Sequence, residues 1–363
     1  MIGIILGTRP EIIKMSPVIR ECERKGLDYF ILHTGQHYSY EMDRNFFEEL
    51  ELPEPHFNLD VGSASHADQT CRIMTGIEKI LIDEQPDTVL VQGDTNTVLA
   101  GALAASKLNI RVGHVEAGLR SFDRTMPEEI NRVVTDHISD YLFAPTETAR
   151  QYLLNEGIEE RKICLTGNTI VDAILQNQKI SQTRSKVLDD IGVKPKEFFL
   201  ATSHRQENVD SYEKLRNIIN AFENIHNELS FPVIFPMHPR TQKMIQQFKM
   251  SLEGTIVMPP VGFLDFLQLE SKARLVLTDS GGVQEESCIL GVPCVTLREN
   301  TERPETIRVG ANMLAGTDRD KILSSSREMI SRTATWSNPY GDGRAGKTII
   351  TLCNGLPPRN ANH

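Results

Sequence analysis

The chain has 363 residues, enough for two domains that each bury a core of their own. Its 49 acidic residues outnumber 39 lysines and arginines, for a formal net charge of −10. That argues against nucleic acid and anionic membrane as partners, and a phosphorylated ligand would need a local positive site. Six cysteines without a C-x-x-C pair point to reduced thiols and a cytoplasmic setting, not to a disulfide frame or a zinc site. No apolar run approaches the ~20 residues of a membrane span, and Met1–Leu6 reads as a first strand, not a signal peptide.

Ile2–Leu6 is an apolar strand, followed by a turn at Gly7–Pro10. A helix from Glu11 to Arg24 turns Ile12, Ile13, Met15, Val18 and Ile19 inward. Pro17 inside that pattern predicts a kink or a late helix start. A strand at Tyr29–Thr34 precedes amphipathic helices at Glu41–Leu50 and Ala67–Glu84. The strand Thr88–Val91 runs into Gln92–Gly93–Asp94–Thr95, and Thr97–Lys107 is a helix of small residues. Arg111–Glu116 is a strand, Glu128–Ser139 a helix and Tyr141–Ala144 a strand.

A second series begins with a strand at Phe198–Ala201 and a helix at Ser211–Glu228. Strands follow at Val233–Phe235, Thr255–Met258, Leu275–Leu277 and Val292–Leu297, with a helix at Leu264–Lys272. Strand–helix alternation predicts α/β doubly wound parallel sheets. Each series opens with a strand and a polar turn, then reaches an apolar strand ending in Asp roughly 80–90 residues later, as duplicated domains would. The stretch 170–186 reads as a polar helical linker and Pro357–His363 as a disordered tail. Ligands of such sheets belong at the carboxyl ends of the strands, so the two domains would face each other across a cleft.

The stretch Leu275–Ser287 carries a strand, two adjacent glycines and a helix start, which aims backbone N–H groups at one spot and suits a phosphate. An ordinary strand–turn–helix is the competing reading. Ser280 is placed to cap the helix or bond a phosphate oxygen, and one of Glu285 and Glu286 should face sugar hydroxyls. Arg9 and Lys14, near the first turn, suit anionic oxygens; a solvated helix start with a Glu11–Lys14 pair is the alternative. Asp94 either faces a ligand or, with Thr95, caps the next helix. Strand alternation puts His114 and Glu116 on one face, His114 as a satisfied core residue and Glu116 as a functional one. Thr125–Glu128 has the form of a capping box, which explains Glu128 without chemistry. Beside Asp94 and Glu116, however, it completes a set of three carboxylates able to supply acid and base to both faces of one substrate. His204 and Arg303 follow strands and suit a phosphate or a leaving oxygen. The ten histidines show no metal-binding spacing.

Seven segments in order resemble the non-hydrolysing UDP-N-acetylglucosamine 2-epimerases: Gly7–Glu11, Gly93–Thr95, Gly113–Arg120, Pro127–Arg132, His204–Asn208, Asp279–Glu286 and Thr301–Glu305. The resemblance implies two Rossmann-like domains of the GT-B kind, over 1–169 and 170–340, with 341–363 returning to the first after a crossover at Asn338–Gly343. It implies UDP on Ser280, Gly281 and Gly282, with Glu286 on the ribose. His204, Arg303, Arg9 and Lys14 would surround the phosphates and Phe266 would lie near uracil. Asp94, Glu116, Glu128 and His204 fall on the family's catalytic positions. The implied reaction inverts C2 of UDP-N-acetylglucosamine through elimination of UDP to a 2-acetamidoglucal and re-addition, without a redox cofactor or metal, in a cytoplasmic homodimer. A second UDP-N-acetylglucosamine activates bacterial members; Gln36, His37, Arg72 and His238 lie where parts of that site would be, although Gly35–Tyr40 departs from the usual bacterial wording. A GT-B glycosyltransferase, a hydrolase that releases UDP and N-acetylmannosamine, and a nucleotide-sugar sensor are the competing functions.

Overall fold

The computed structural model describes residues 1–35, 46–332 and 335–355. Gln36, His37, the first half of the helix expected at Glu41–Leu50, and the Pro357–His363 tail lie outside the described residues. The chain forms two compact units, one of residues 1–175 with 340–363 and one of residues 176–339.

The first unit holds a seven-stranded parallel sheet of β1 (Ile2–Leu6), β2 (Tyr29–His33), β3 (Phe57–Asn58), β4 (Thr88–Gln92), β5 (Arg111–Val115), β6 (Tyr141–Ala144) and β7 (Ile163–Leu165). Their order in the sheet is β3-β2-β1-β4-β5-β6-β7. The central strands are apolar and buried along their length because helices cover both faces of such a sheet. The small residues of helix Asn96–Lys107 let it lie close on the sheet; a Cβ at Gly101 would sit 3.2 Å from both Ile5 and Val91. The second unit repeats the plan with β8 (Phe199–Thr202), β9 (Val233–Pro236), β10 (Thr255–Met258), β11 (Leu275–Thr278), β12 (Cys294–Thr296) and β13 (Asn312–Leu314). Here the order is β10-β9-β8-β11-β12-β13, again all parallel. Direction of winding reverses between β1 and β4 and between β8 and β11, so the turns after those four strands are where ligand contacts belong.

Two expectations are corrected, a late helix start at Pro17 and a strand end at Glu116. Helix Arg9–Lys25 starts at Arg9 and includes Pro17, with no late start. Pro17 has no N–H for the Ile13 carbonyl, and the Ser16 hydroxyl donates to that oxygen instead, at 2.8 Å. The stretch expected as a polar helical linker is helical, Thr169–Arg184, and the boundary between the two units, at 175/176, falls inside it; Ile170, Val171, Ala173 and Ile174 are buried, and Ser181 donates to the Leu264 carbonyl at 2.7 Å. The strand expected to reach Glu116 stops at Val115. Asp172 accepts the Ala345 and Gly346 N–H groups at 3.1 and 3.0 Å, which caps the final helix, Ala345–Asn354, within the first unit.

Candidate active site

In the first unit, Gly93 (φ 86°) turns the chain out of β4 and sets Asp94 and Thr95 at the start of the next helix. Thr95 is the cap: its Oγ1 accepts from Val98 N at 3.4 Å. The Asp94 carboxylate is therefore not needed for capping. It is a third exposed and ion-paired with Arg132, while its backbone oxygen accepts from Asn131 Nδ2 at 2.9 Å. Asp94 and Glu128 line one cavity of about 380 Å³, together with His66, Asn96 and Asn131.

The capping box at Thr125 does not form. Helix Pro127–Ile138 is capped by position at Met126 without a side-chain bond, and the Thr125 hydroxyl donates to Asp123 at 2.6 Å. The buried carboxylate of this turn is Glu129, which accepts the Ser121 and Phe122 N–H groups at 2.9 Å and pairs with Arg132. Local capping thus leaves exposed Glu128 unexplained.

Glu116 lies just past β5 with φ 70°, a left-handed conformation that costs a non-glycine residue on the order of 1 kcal/mol. Both Glu116 N and Ala117 N donate to the Phe143 carbonyl, at 3.1 and 3.2 Å, which holds the turn. Its carboxylate, 6% exposed, accepts from Lys14 Nζ at 2.5 Å and Gln92 Nε2 at 3.0 Å. The shared face with His114 is lost with the strand geometry: His114 meets Asp136 at 2.6 Å and the Gly93 carbonyl at 2.8 Å, as a satisfied core histidine. Burial pushes the Asp136 carboxyl up, but His114 and then Arg120 outweigh it and hold it below its ordinary value. The Glu11–Lys14 pair does not form either, since Lys14 reaches Glu116 and Glu11 bonds backbone and hydroxyl donors. Arg9 stacks over the Phe46 ring, 5.4 Å from its centroid.

In the second unit, β11 ends at Thr278 and helix Gly281–Ile289 begins after two intervening residues. Ser280 holds the cap position without a side-chain cap bond, so of its two expected uses the anion contact is left. Among the described residues, a Cβ added to Gly281 or Gly282 would meet nothing closer than 3.8 Å, which leaves space in front of the first turn of the helix. Its leading N–H groups and dipole favour an anion there. Glu285 turns away, buried and ion-paired with Arg303 Nε at 2.7 Å. Glu286 is half-buried and hydrogen-bonds Glu270, a fully buried carboxyl on helix Phe263–Lys272 that also accepts from Ser287 Oγ at 3.0 Å. Burial, then the neighbouring Glu286, pushes the Glu270 carboxyl well above the usual carboxylate range. Phe266, on the same helix, packs partly buried beside the apolar cluster of Phe198 and Leu269.

Asp279 is the hub that composition and spacing did not disclose. Fully buried, it accepts from Ser203 Oγ at 3.1 Å, His204 N at 3.0 Å, Arg205 N at 3.1 Å and Asn208 Nδ2 at 3.2 Å. Burial alone would push its carboxyl up; the His204 bond and charge, with the other donors, bring it below its ordinary value. His204 Nδ1 lies 3.1 Å from Asp279, which leaves Nε2 for other partners on a side chain 45% exposed.

A family model described as UDP-N-acetylglucosamine 2-epimerase matches residues 20–354. The chain belongs to this family. A UDP-N-acetylglucosamine 2-epimerase of Methanococcus maripaludis is 57% identical over 358 residues, 97% of each chain. The crystal structure of Methanocaldococcus jannaschii UDP-GlcNAc 2-epimerase in complex with UDP-GlcNAc and UDP superposes with a TM-score of 0.88 at 55% identity, over 97% of this chain and 99% of that one. A Pseudomonas aeruginosa UDP-2,3-diacetamido-2,3-dideoxy-D-glucuronate 2-epimerase is 43% identical over 95% of this chain and 97% of its own. Family and fold class, an α/β pair of Rossmann-like units of the GT-B kind, stand as the motifs implied.

Among this epimerase's candidate residues the structure thus brings Asp94 to Glu128, Lys14 to Glu116, Arg303 to Glu285, and His204 to Asp279. Arg72 is surface-exposed and paired with Asp68, its neighbour one helical turn away, at 2.8 Å. His238 caps helix Pro239–Phe248 by accepting from Arg240 N, with its ring 6.1 Å from that of His204. Burial, then His204 and Arg240, lowers the His238 imidazole below its ordinary value. Glu11, Glu129, Glu270 and Asp279 were missed as site-building residues; a carboxylate predicted at a buried position beside a turn is the signal that would have found them.

Proposed function

We propose that this protein is a UDP-N-acetylglucosamine 2-epimerase that works by elimination and re-addition. One carboxylate removes the proton from C2 of the sugar. The electron pair forms the C1–C2 double bond of 2-acetamidoglucal as the C1–O bond breaks and UDP leaves with its electrons. UDP oxygen then returns to C1, and a proton is delivered to C2 on the other face. Atoms and electrons balance, so no redox cofactor enters. The observation that carries this reading is the cavity shared by Asp94 and Glu128: two carboxylates on one space can serve as base and acid. Glu116, paired with Lys14, is a third candidate for proton transfer. Ser280, Gly281 and Gly282 receive the departing diphosphate, His204, Arg303, Arg9 and Lys14 neutralise its charge, and Phe266 lies against uracil. Glu286, propped by Glu270, accepts from the ribose. Family membership further leads us to propose a cytoplasmic homodimer. Among the described residues no helix is long and apolar enough to cross a membrane.

Proton NMR of the purified protein with UDP-N-acetylglucosamine in D₂O tests the reading. Formation of UDP-N-acetylmannosamine deuterated at C2 supports it. Net accumulation of UDP and free sugar replaces it with a hydrolase. Turnover with retained C2 protium excludes the elimination step.

A further inference from the structure

Glu11 is buried on the first turn of helix Arg9–Lys25, and the reaction above gives it no part. Its carboxyl joins two turns of the sheet. Oε2 accepts from Gly7 N at 2.6 Å and Oε1 from Thr8 Oγ1 at 3.1 Å, both on the turn after β1. The Thr95 hydroxyl, on the turn after β4 and one residue from Asp94, lies near enough to the same carboxyl to favour its charged form. Thr95 Oγ1 accepts from Val98 N, so its own proton is available for Glu11. The two turns also press together. A Cβ on Gly7 would lie 2.1 Å from Thr97 Oγ1 and 2.6 Å from Thr34 Oγ1, two hydroxyls that bond each other at 2.8 Å.

The charged group facing Glu11 is Asp94; its hydrogen-bond partners Gly7, Thr8 and Thr95 are neutral. Burial is the largest influence and lifts the Glu11 carboxyl to about 7, against the pull of its three donors. An ionised Glu11 can accept from all three donors. A protonated one has an O–H where an acceptor stood, and one of the three bonds must weaken.

We propose that Glu11 is a positioning residue that ties the turn bearing Asp94 to the turn after β1 and so fixes the Asp94 carboxylate for proton transfer. This rests on the proposed catalytic role of Asp94. The test is kcat and KM with UDP-N-acetylglucosamine against pH for the wild type, Glu11→Gln, Thr8→Val and Asp94→Asn. UDP affinity by calorimetry and thermal unfolding are measured alongside. Wild-type kcat should rise with pH through a limb near 7. Glu11→Gln should lose that limb and about tenfold in kcat, with KM and UDP affinity within about twofold, since misplacement of a reacting group lowers turnover more than binding. Thr8→Val keeps the acid, removes one donor to its charged form and should move the limb to higher pH. A wild-type limb in Glu11→Gln, even with a lower melting temperature, or an unmoved limb in Thr8→Val, overturns the proposal. Should Glu11→Gln not fold, Thr8→Val decides alone. Full turnover in Asp94→Asn removes the assignment of Asp94 and this proposal with it. An inactive Asp94→Asn beside a Glu11→Gln enzyme with the wild-type profile removes the role of Glu11 only.

Discussion

Asp94 and Asp279 hold the same place in their two units. Each follows the strand that neighbours the first strand of its sheet, β4 beside β1 and β11 beside β8, and each stands just ahead of a helix. Their surroundings differ. Asp279 is fully buried and ringed by donors from Ser203, His204, Arg205 and Asn208. Asp94 is a third exposed, opens on the cavity it shares with Glu128, and has Arg132 as its charge partner. One aspartate organises a loop and the other is open to a reacting atom. Donor count and access, more than residue type or place in the sheet, separate a structural carboxylate from a catalytic candidate.

The widest separation should come from Asp94→Asn. Turnover should fall by about 10³-fold, within the range for removing a general base or acid, while the melting temperature and UDP affinity hold. Retained turnover breaks the comparison at its catalytic end. Asp279→Ala should show the reverse order of effects. It leaves converging donors buried without an acceptor and should cost about 3 kcal/mol in urea unfolding, with UDP affinity reduced as the His204–Asn208 loop relaxes. A loss below about 1 kcal/mol would place Asp279 among ordinary surface carboxylates.

The pH dependence of stability sharpens the contrast with Glu11, because the two signs oppose. Asp279 is held below its ordinary value of 3.8, so the stability it contributes is present above that value and is lost as pH falls through the folded-state value. Glu11 is raised from 4.5 to about 7, so its contribution is present below 4.5 and is lost as pH rises through about 7. Unfolding measured across pH should lose its acid-side slope in Asp279→Asn and its slope between 4.5 and about 7 in Glu11→Gln; unchanged slopes would falsify both assignments. The smallest effect should be that of Asn208→Ala, about 1 kcal/mol by chemical unfolding, since Asp279 keeps its other donors.

How much of this was legible in the chain follows from the range of each interaction. Apolar runs such as Ile4–Leu6 and Leu275–Leu277 announce strands because a parallel strand is buried on both faces and tolerates little else. The edge strands β3, β7 and β13 span two or three residues, too few to show any period. Spacing rules misread Glu11–Lys14 and Thr125–Glu128 because they know only near neighbours. Lys14 finds Glu116 across 102 positions, and Asp123 competes for the Thr125 hydroxyl.

The sequence by itself determined the two doubly wound sheets, the glycine turn ahead of helix Gly281–Ile289, and the strand-end position of Asp94, since each depends on local pattern and backbone freedom. Only the tertiary structure decided which carboxylates are spent on donors and which are open. Asp279 draws its donors from positions 71 to 76 residues away and Glu11 meets a turn more than 80 residues further on, and no local rule reports which distant groups meet when a carboxylate is taken out of water.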